Sequence, residues 1–204
     1  IISEGHELLY NLMLTPNPYK GEVIVKVHAT AINLEDILYR NGQYTIDMDI
    51  PYIPGSNAVG EIELVGEDVT DWAIGERVIF SYDRLGVERN GTHAELVSVL
   101  VDYLGLVPDN MDYRTAATVT YALCRAWSGL SYKAKIRKKE TIVINHASTP
   151  LGLACLAIAK WKEATVIAVD SLSNATQLKS AGADIVLDEE SDDLLSLILT
   201  ITDD

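Results

Sequence analysis

Residues 141–152 read Thr141-Ile142-Val143-Ile144-Asn145-His146-Ala147-Ser148-Thr149-Pro150-Leu151-Gly152, and the fold turns on how that stretch is taken. Thr141 to Ile144 is short and apolar without alternation, as expected of a strand covered on both faces of a parallel sheet. Leu151 to Lys162 follows, apolar nearly all round, with Leu153, Leu156, Ala157 and Trp161 among its members; it is long enough for a buried helix. Thr165 to Asp170 reads as a second strand. A helix over residues 174–181 stops at Gly182, and Asp184 to Leu187 is a third strand. Ser191 to Thr200 reads as a third helix with Asp192 and Asp193 in its first turn. Strand and helix in strict alternation predict a doubly wound parallel sheet. Three strands make one mononucleotide-binding half of such a sheet. The reading therefore expects a piece of a longer chain, whether a fragment or part of a longer reading frame, with an open strand edge that needs further residues or a partner subunit.

Upstream of Pro108 the pattern changes to short strands. Val23, Val25 and Val27 alternate with Ile24, Lys26 and His28; Ile62 and Leu64 alternate with Glu61 and Glu63, bracketed by Gly60 and Gly66. Arg77 to Phe80 and His93 to Val97 are two further strands. Turn residues punctuate them at Pro54-Gly55, Gly75-Glu76 and Asn90-Gly91. Several short strands at this spacing suggest a small barrel. The domains expected are residues 1–112, the barrel, and residues 113–204, the first half of the nucleotide-binding sheet.

The 204 residues are 48% hydrophobic, enough to bury a sizeable core, and carry a formal charge of −14. That charge argues against nucleic acid or an anionic membrane as partner. The one dense basic run, Lys133 to Lys139, reads as a solvated loop. Cys124 and Cys155 do not form a disulfide framework, no apolar stretch is long enough to span a membrane, and residues 1–6 lack signal-peptide character. A cytoplasmic location is expected.

Several segments in register resemble the quinone oxidoreductase branch of the medium-chain dehydrogenase/reductase superfamily. Gly21 to Val27 is similar to that family's opening barrel strand. Ala29 to Asp36 with Arg40-Asn41-Gly42-Gln43-Tyr44 is similar to its active-site segment, and Pro54 to Ile62, Val65-Gly66 and Gly75 to Val78 to its most recognisable stretch. Ala147 to Lys160 and Leu178 to Asp184 resemble its cofactor strand-helix unit. The resemblance implies a GroES-like β-barrel domain followed by a partial Rossmann domain. It also implies a nicotinamide cofactor, a small-molecule substrate and, since full-length relatives commonly pair through the outer strand of this sheet, a homodimer.

Zinc-dependent relatives place a cysteine where this chain has Asn33 and a His-Glu pair where it has Ser56-Asn57. Amide and hydroxyl groups are poor zinc donors, the cysteine cluster of a structural zinc lobe is missing, and His6, His28, His93 and His146 show no ligand spacing. No zinc is expected. The cofactor loop departs further. The family has glycine where this chain has His146, Thr149 and Pro150, leaving Gly152, so the loop's anion site is weakened. Thr149 as N-cap with Pro150 at the first helical position is nonetheless a well-formed helix start. Either the Ser148 and Thr149 hydroxyls replace lost amides around a shifted cofactor, or the loop holds nothing. Asp170, ending the second strand, either accepts from an adenosine ribose, favouring NAD(H) over NADP(H), or caps the following turn. Arg125 stands where the family has a small hydroxyl residue near the nicotinamide, and would grip a phosphate or fill the pocket.

Metal-free relatives transfer hydride between the nicotinamide and a conjugated or quinone-like carbonyl. By the resemblance, Asn33 donates an amide hydrogen bond to the substrate oxygen, Tyr44 donates its hydroxyl, and Arg40 is an anion contact. The residues alone allow a turn residue, a core aromatic and a surface charge instead. Three function classes stand side by side: a zinc-independent oxidoreductase, a catalytically inactive relative acting as an interaction protein, and an enoyl reductase-type domain of a larger synthase.

Overall fold

The computed structural model describes residues 7–43 and 49–202. It divides into two compact units, Ile1–Tyr121 and Ala122–Asp204, with the division inside a helix. The first unit holds strands β1 (Glu22–Thr30), β2 (Asn57–Val65), β3 (Arg77–Ser81), β4 (Leu96–Leu100) and β5 (Leu104–Leu106), with helix α1 (Leu34–Arg40) after β1 and the start of α2 (Tyr113–Trp127). All pairings are antiparallel, in the order β4-β1-β2-β3-β5.

The period-two pattern of β1 and β2 sets which side chains enter the barrel core. Val23 and Val25 pack with Ile62, Val78, Phe80, Val97 and Val99, all buried. Ile24 points the other way and is fully buried too, so the start of β1 is covered on both faces rather than half-buried as its alternation suggests. Gly60 lies inside β2 instead of bracketing it. A Cβ there would collide with the Lys26 carbonyl oxygen and sit 2.8 Å from Val25 Cγ1. The β1–β2 register slips beside it, between Val27 and Ala29, so glycine permits the close approach that the bulge requires.

The strand expected over residues 93–97 forms three residues later, as β4. The N–H groups of Gly91, Thr92 and His93 donate instead to the carbonyls of Ile53, Gly55 and Pro54, at 2.7, 3.0 and 2.9 Å. Backbone groups committed to that loop cannot also build a ladder.

The second unit contains β6 (Thr141–Asn145), α3 (Pro150–Trp161), β7 (Thr165–Asp170), α4 (Ala175–Ser180), β8 (Ile185–Asp188) and α5 (Leu194–Thr202). The strands are parallel in the order β6-β7-β8, and the register sets Asn145 beside Val169 and Asp170 beside Asp188 at the carboxyl ends. Leu156 of α3 and Leu178 of α4 are fully buried against Val166 and Ala168, each burial stabilising the unit by about 1.5–3 kcal/mol. The third helix starts at Leu194, so Asp192 and Asp193 precede its first turn; the Leu194 N–H closes a turn onto the Ser191 carbonyl at 3.2 Å. Most of the basic run at 133–139 is exposed, and Lys138 pairs with Glu163 at 2.6 Å. Among the described residues no helix is long and apolar enough to cross a membrane.

The clash at Gly60 gives a stability test. Gly60→Ala should cost roughly 1–3 kcal/mol by forcing β1 and β2 apart. Urea unfolding read by Trp72, which packs on the barrel core, in a chain with Trp127 and Trp161 replaced by Phe, should show a lowered midpoint; an unchanged midpoint contradicts the close-approach argument.

Candidate functional site

Two polar constellations stand out, one in each unit. In the second, β6 ends at Asn145 and the chain turns through His146, whose φ of 49° lies in the left-handed region. This is a position where the resemblance expects glycine, and the backbone keeps glycine's conformation under a histidine. Gly152 is still needed: a Cβ there would lie 2.7 Å from Ala147 backbone atoms, so helix α3 can pack tightly on the turn only without one. Thr149 caps α3 as its sequence suggests. Its Oγ1 accepts from the Gly152 N–H at 3.1 Å and donates to the His146 carbonyl at 2.8 Å, with Pro150 at the first helical position. Pro150 brings no N–H and the Gly152 amide is taken by the cap, which leaves the Leu151 N–H as the first-turn donor not engaged by it.

Asp170 closes the loop from the next strand. Its Oδ2 accepts from the Ser148 N–H at 2.8 Å, and its Oδ1 accepts from the Ser171 N–H at 2.9 Å and Asn174 Nδ2 at 2.7 Å. Asn174 Nδ2 also reaches Ser148 Oγ at 3.1 Å. The Ser148 amide, followed by the Asn174 side chain, holds the Asp170 carboxyl down to about 2. The turn-capping role is therefore formed, and the carboxylate, 5% exposed, is committed to protein donors.

Beyond these strand ends lies a cavity of about 240 Å³ lined by Asn145, His146, Val169, Glu189, Glu190 and Leu194. His146 Nδ1 stands 3.4 Å from Glu189 Oε2.

The first unit's constellation is built around α1. Asn33 begins that helix from an extended conformation, and its N–H donates to Asp36 Oδ2 at 2.7 Å. The Asn33 amide nitrogen donates to Asn57 Oδ1 at 2.7 Å, while Asn57 Nδ2 donates to the Ala117 carbonyl at 3.1 Å. Thr30 Oγ1 donates to the Asn57 carbonyl at 2.7 Å and lies 3.0 Å from Thr92 Oγ1. Asn57 is wholly buried. Burial pushes the Asp36 carboxyl up, against the Asn33 N–H and the nearby His93, which pull it down. Tyr52 is 1% exposed; burial, then the charge of Asp36, pushes its phenol up. Neither the Tyr52 hydroxyl nor His93 Nε2 has a hydrogen-bond partner among the described residues. Unpaired buried polar atoms are costly and concentrate where a ligand supplies the missing partner.

Of the residues read from the sequence, Ser148, Thr149, Gly152 and Asp170 come together in one loop, and Asn33 joins the amide pocket. Arg40 is exposed in the last turn of α1, Arg125 is exposed in the last turn of α2, and Tyr44 lies outside the described residues. Asn33 and Asn57 stand where the resemblance sets two metal ligands, whereas Tyr52 and His93 were not legible, because burial without a partner leaves no mark on a linear sequence. Among the described residues no group of three or more His, Cys, Asp and Glu side chains could hold a metal.

An antiparallel barrel sheet followed by parallel strand-helix units with a tight β6–α3 turn defines the GroES-like-plus-Rossmann class. Residues 19–109 match the alcohol dehydrogenase GroES-like domain. The chain is 31% identical to quinone oxidoreductase of Mus musculus over 72% of this chain and 43% of that protein. It is 30% identical to acryloyl-coenzyme A reductase of Metallosphaera sedula over 92% of this chain and 63% of that one. A mycobacterial protein solved in complex with NADPH superposes with a TM-score of 0.79 at 26% identity, covering 95% of this chain and 58% of that one. The chain belongs to the medium-chain dehydrogenase/reductase superfamily, in its quinone oxidoreductase-like branch. It spans 43% and 63% of the two curated relatives' lengths.

The lowered Asp170 carboxyl has a pH consequence. Its folded value, about 2, lies below the ordinary 3.8, so its contribution is present above pH 4 and is lost as pH falls towards 2. Asp170→Asn should cost roughly 1–2 kcal/mol at pH 7, with the deficit shrinking between pH 4 and 2. Denaturant midpoints across that range check it, and a deficit independent of pH would count against the charged hydrogen bonds.

Proposed function

We propose that the full-length protein is a nicotinamide-dependent oxidoreductase acting without zinc on a conjugated or quinone-like carbonyl. The observation that carries this reading is the Asn33–Asn57 amide pair, where zinc-dependent relatives have metal ligands. One Asn33 Nδ2 hydrogen is spent on Asn57 Oδ1, which fixes the amide plane and leaves the other free to donate. A fixed amide donor, half-buried beside the wholly buried Asn57, can stabilise negative charge developing on a substrate oxygen, the task a metal performs elsewhere in the family. Asp36, holding the Asn33 backbone, and Asn57, anchored to Ala117, are positioning residues. The Tyr52 hydroxyl, without a partner among the described residues, is a second donor beside the Tyr44 proposed from the sequence, and Arg40 is an anion contact.

The β6–α3 loop fits a dinucleotide in part. Its left-handed turn and Gly152 retain the backbone path, while Thr149 and Pro150 remove two of the donors. The Ser148 hydroxyl and the Leu151 N–H would hold the pyrophosphate, with Thr149 donating only if its hydroxyl leaves the His146 carbonyl and Arg125 as an added phosphate contact. When bound, the nicotinamide supplies the hydride. NAD(H) is favoured over NADP(H), because Asn174 stands where NADPH-using relatives carry lysine and the strand ends are acidic.

Three measurements test the reading on the full-length protein. Asn33→Ala should lower kcat by about 10²–10³-fold on an enone or quinone substrate. An effect below threefold contradicts the donor role. Elemental analysis of untagged protein should find no stoichiometric zinc. Replacing Thr149 and Pro150 together by glycine should tighten NADH binding roughly tenfold to a hundredfold, one recovered amide being worth about 1.5–3 kcal/mol when charge-assisted. If neither NADH nor NADPH binds the parent or this variant, the interaction-protein reading takes its place.

A further inference from the structure

We propose that Glu189, rather than Asp170, is the residue that reads the ribose hydroxyls of a bound adenosine group and turns away its 2′-phosphorylated form. This rests on the reading that the β6–α3 loop takes an adenine dinucleotide.

Asp170 sits where the strand order would put the ribose reader, but three of its carboxylate's roughly four acceptor positions are already taken by protein donors. It accepts from the Ser148 and Ser171 amides and from Asn174 Nδ2, and it does not line the cavity. Releasing it to a ligand would unfasten Ser148 and leave three donors without their acceptor. Glu189 is mounted directly beyond it: its N–H donates to the Asp170 carbonyl at 3.2 Å, which carries its side chain past the end of β7 and into the cavity wall. About a third of that side chain is exposed.

The cavity's chemistry is one-sided. Among the described residues, Glu189 and Glu190 are both in its lining, no lysine or arginine is, and the single basic group is His146, 3.4 Å from Glu189. Carboxylates only accept hydrogen bonds, so they suit a pair of sugar hydroxyls. A phosphate monoester in the same place would face like charge with no guanidinium or ammonium to offset it. Asp170 in this arrangement is a positioning residue, fixing the loop and the backbone from which Glu189 extends.

The test uses the full-length protein with adenosine, adenosine 2′-phosphate, NADH and NADPH as probes, titrated by calorimetry, alongside Glu189→Gln and Asp170→Asn. Adenosine should bind the parent more tightly than adenosine 2′-phosphate. Glu189→Gln should shrink that ratio roughly three- to thirtyfold without moving Tm, and raising the salt should shrink it in the parent. Asp170→Asn should lower Tm and weaken both nucleosides alike, leaving the ratio in place. The proposal is overturned if Glu189→Gln leaves the ratio unchanged, if Asp170→Asn alone narrows it, or if adenosine does not bind at all. Nucleosides that follow the expected pattern while NADH and NADPH fail to bind would sink the dinucleotide reading and leave Glu189's role intact. Dinucleotides that bind with a preference indifferent to Glu189→Gln would do the reverse.

Discussion

The second unit's candidate site depends on one carboxylate. Asp170 gathers the amide of Ser148, the amide of Ser171 and the side chain of Asn174 onto two oxygens, and so binds the end of β7 to the turn leaving β6. Without that anion the Ser148 N–H would point at nothing, and the turn would lose its fixed relation to the strand beside it. The cap at Thr149, the tight packing at Gly152 and the cavity beyond the strand ends all presuppose a turn held in place. In phosphate-binding loops the amides wait for a ligand's charge; in this loop the chain supplies part of that charge itself.

The barrel unit has a parallel economy of polar groups. Where a metal would gather thiolate and imidazole, two asparagines gather each other, and the surplus donor of Asn57 is consumed by the Ala117 carbonyl. Amides satisfy one another without a net charge, so the pocket can stay buried at a modest desolvation penalty. The Asp36 carboxyl, pushed up by burial, is tied to the Asn33 backbone N–H beside that pair.

Much of this was legible in the sequence, for identifiable reasons. Thr141 to Ile144, the apolar run after Leu151 and the Thr149-Pro150 start gave the second unit's order of elements, because short apolar runs and helix capping each leave a local signature; the covered second face expected of the first strand is not found, since Val143 is exposed there and Ile144 alone is buried. Asn33, Ser56 and Asn57 came to notice through the family resemblance, and residue chemistry added only that amides and hydroxyls are poor zinc donors. What the sequence hid is non-local. His93 reads as the start of a strand, yet its amide, like those of Gly91 and Thr92 before it, is drawn to the 53–55 loop, a partner that lies about forty residues away and outweighs propensity. Tyr52 and His93 stand out through single buried polar atoms without a partner among the described residues, and Glu189 meets the cavity through a backbone bond to the neighbouring strand; neither has a spacing to betray it. Gly60 looked like punctuation and proved to be an interior residue set by the proximity of Lys26.

His146 holds a left-handed backbone that costs a β-carbon-bearing residue on the order of 1 kcal/mol and costs glycine almost nothing. Glycine would hold the same turn without that strain, so the imidazole is carried here at a local backbone cost. That backbone sets the imidazole 3.4 Å from the Glu189 carboxylate. In a lineage of such loops, position 146 is where a change of ligand preference would be read as a change of backbone comfort, since relaxing the turn and losing the side chain are one and the same event.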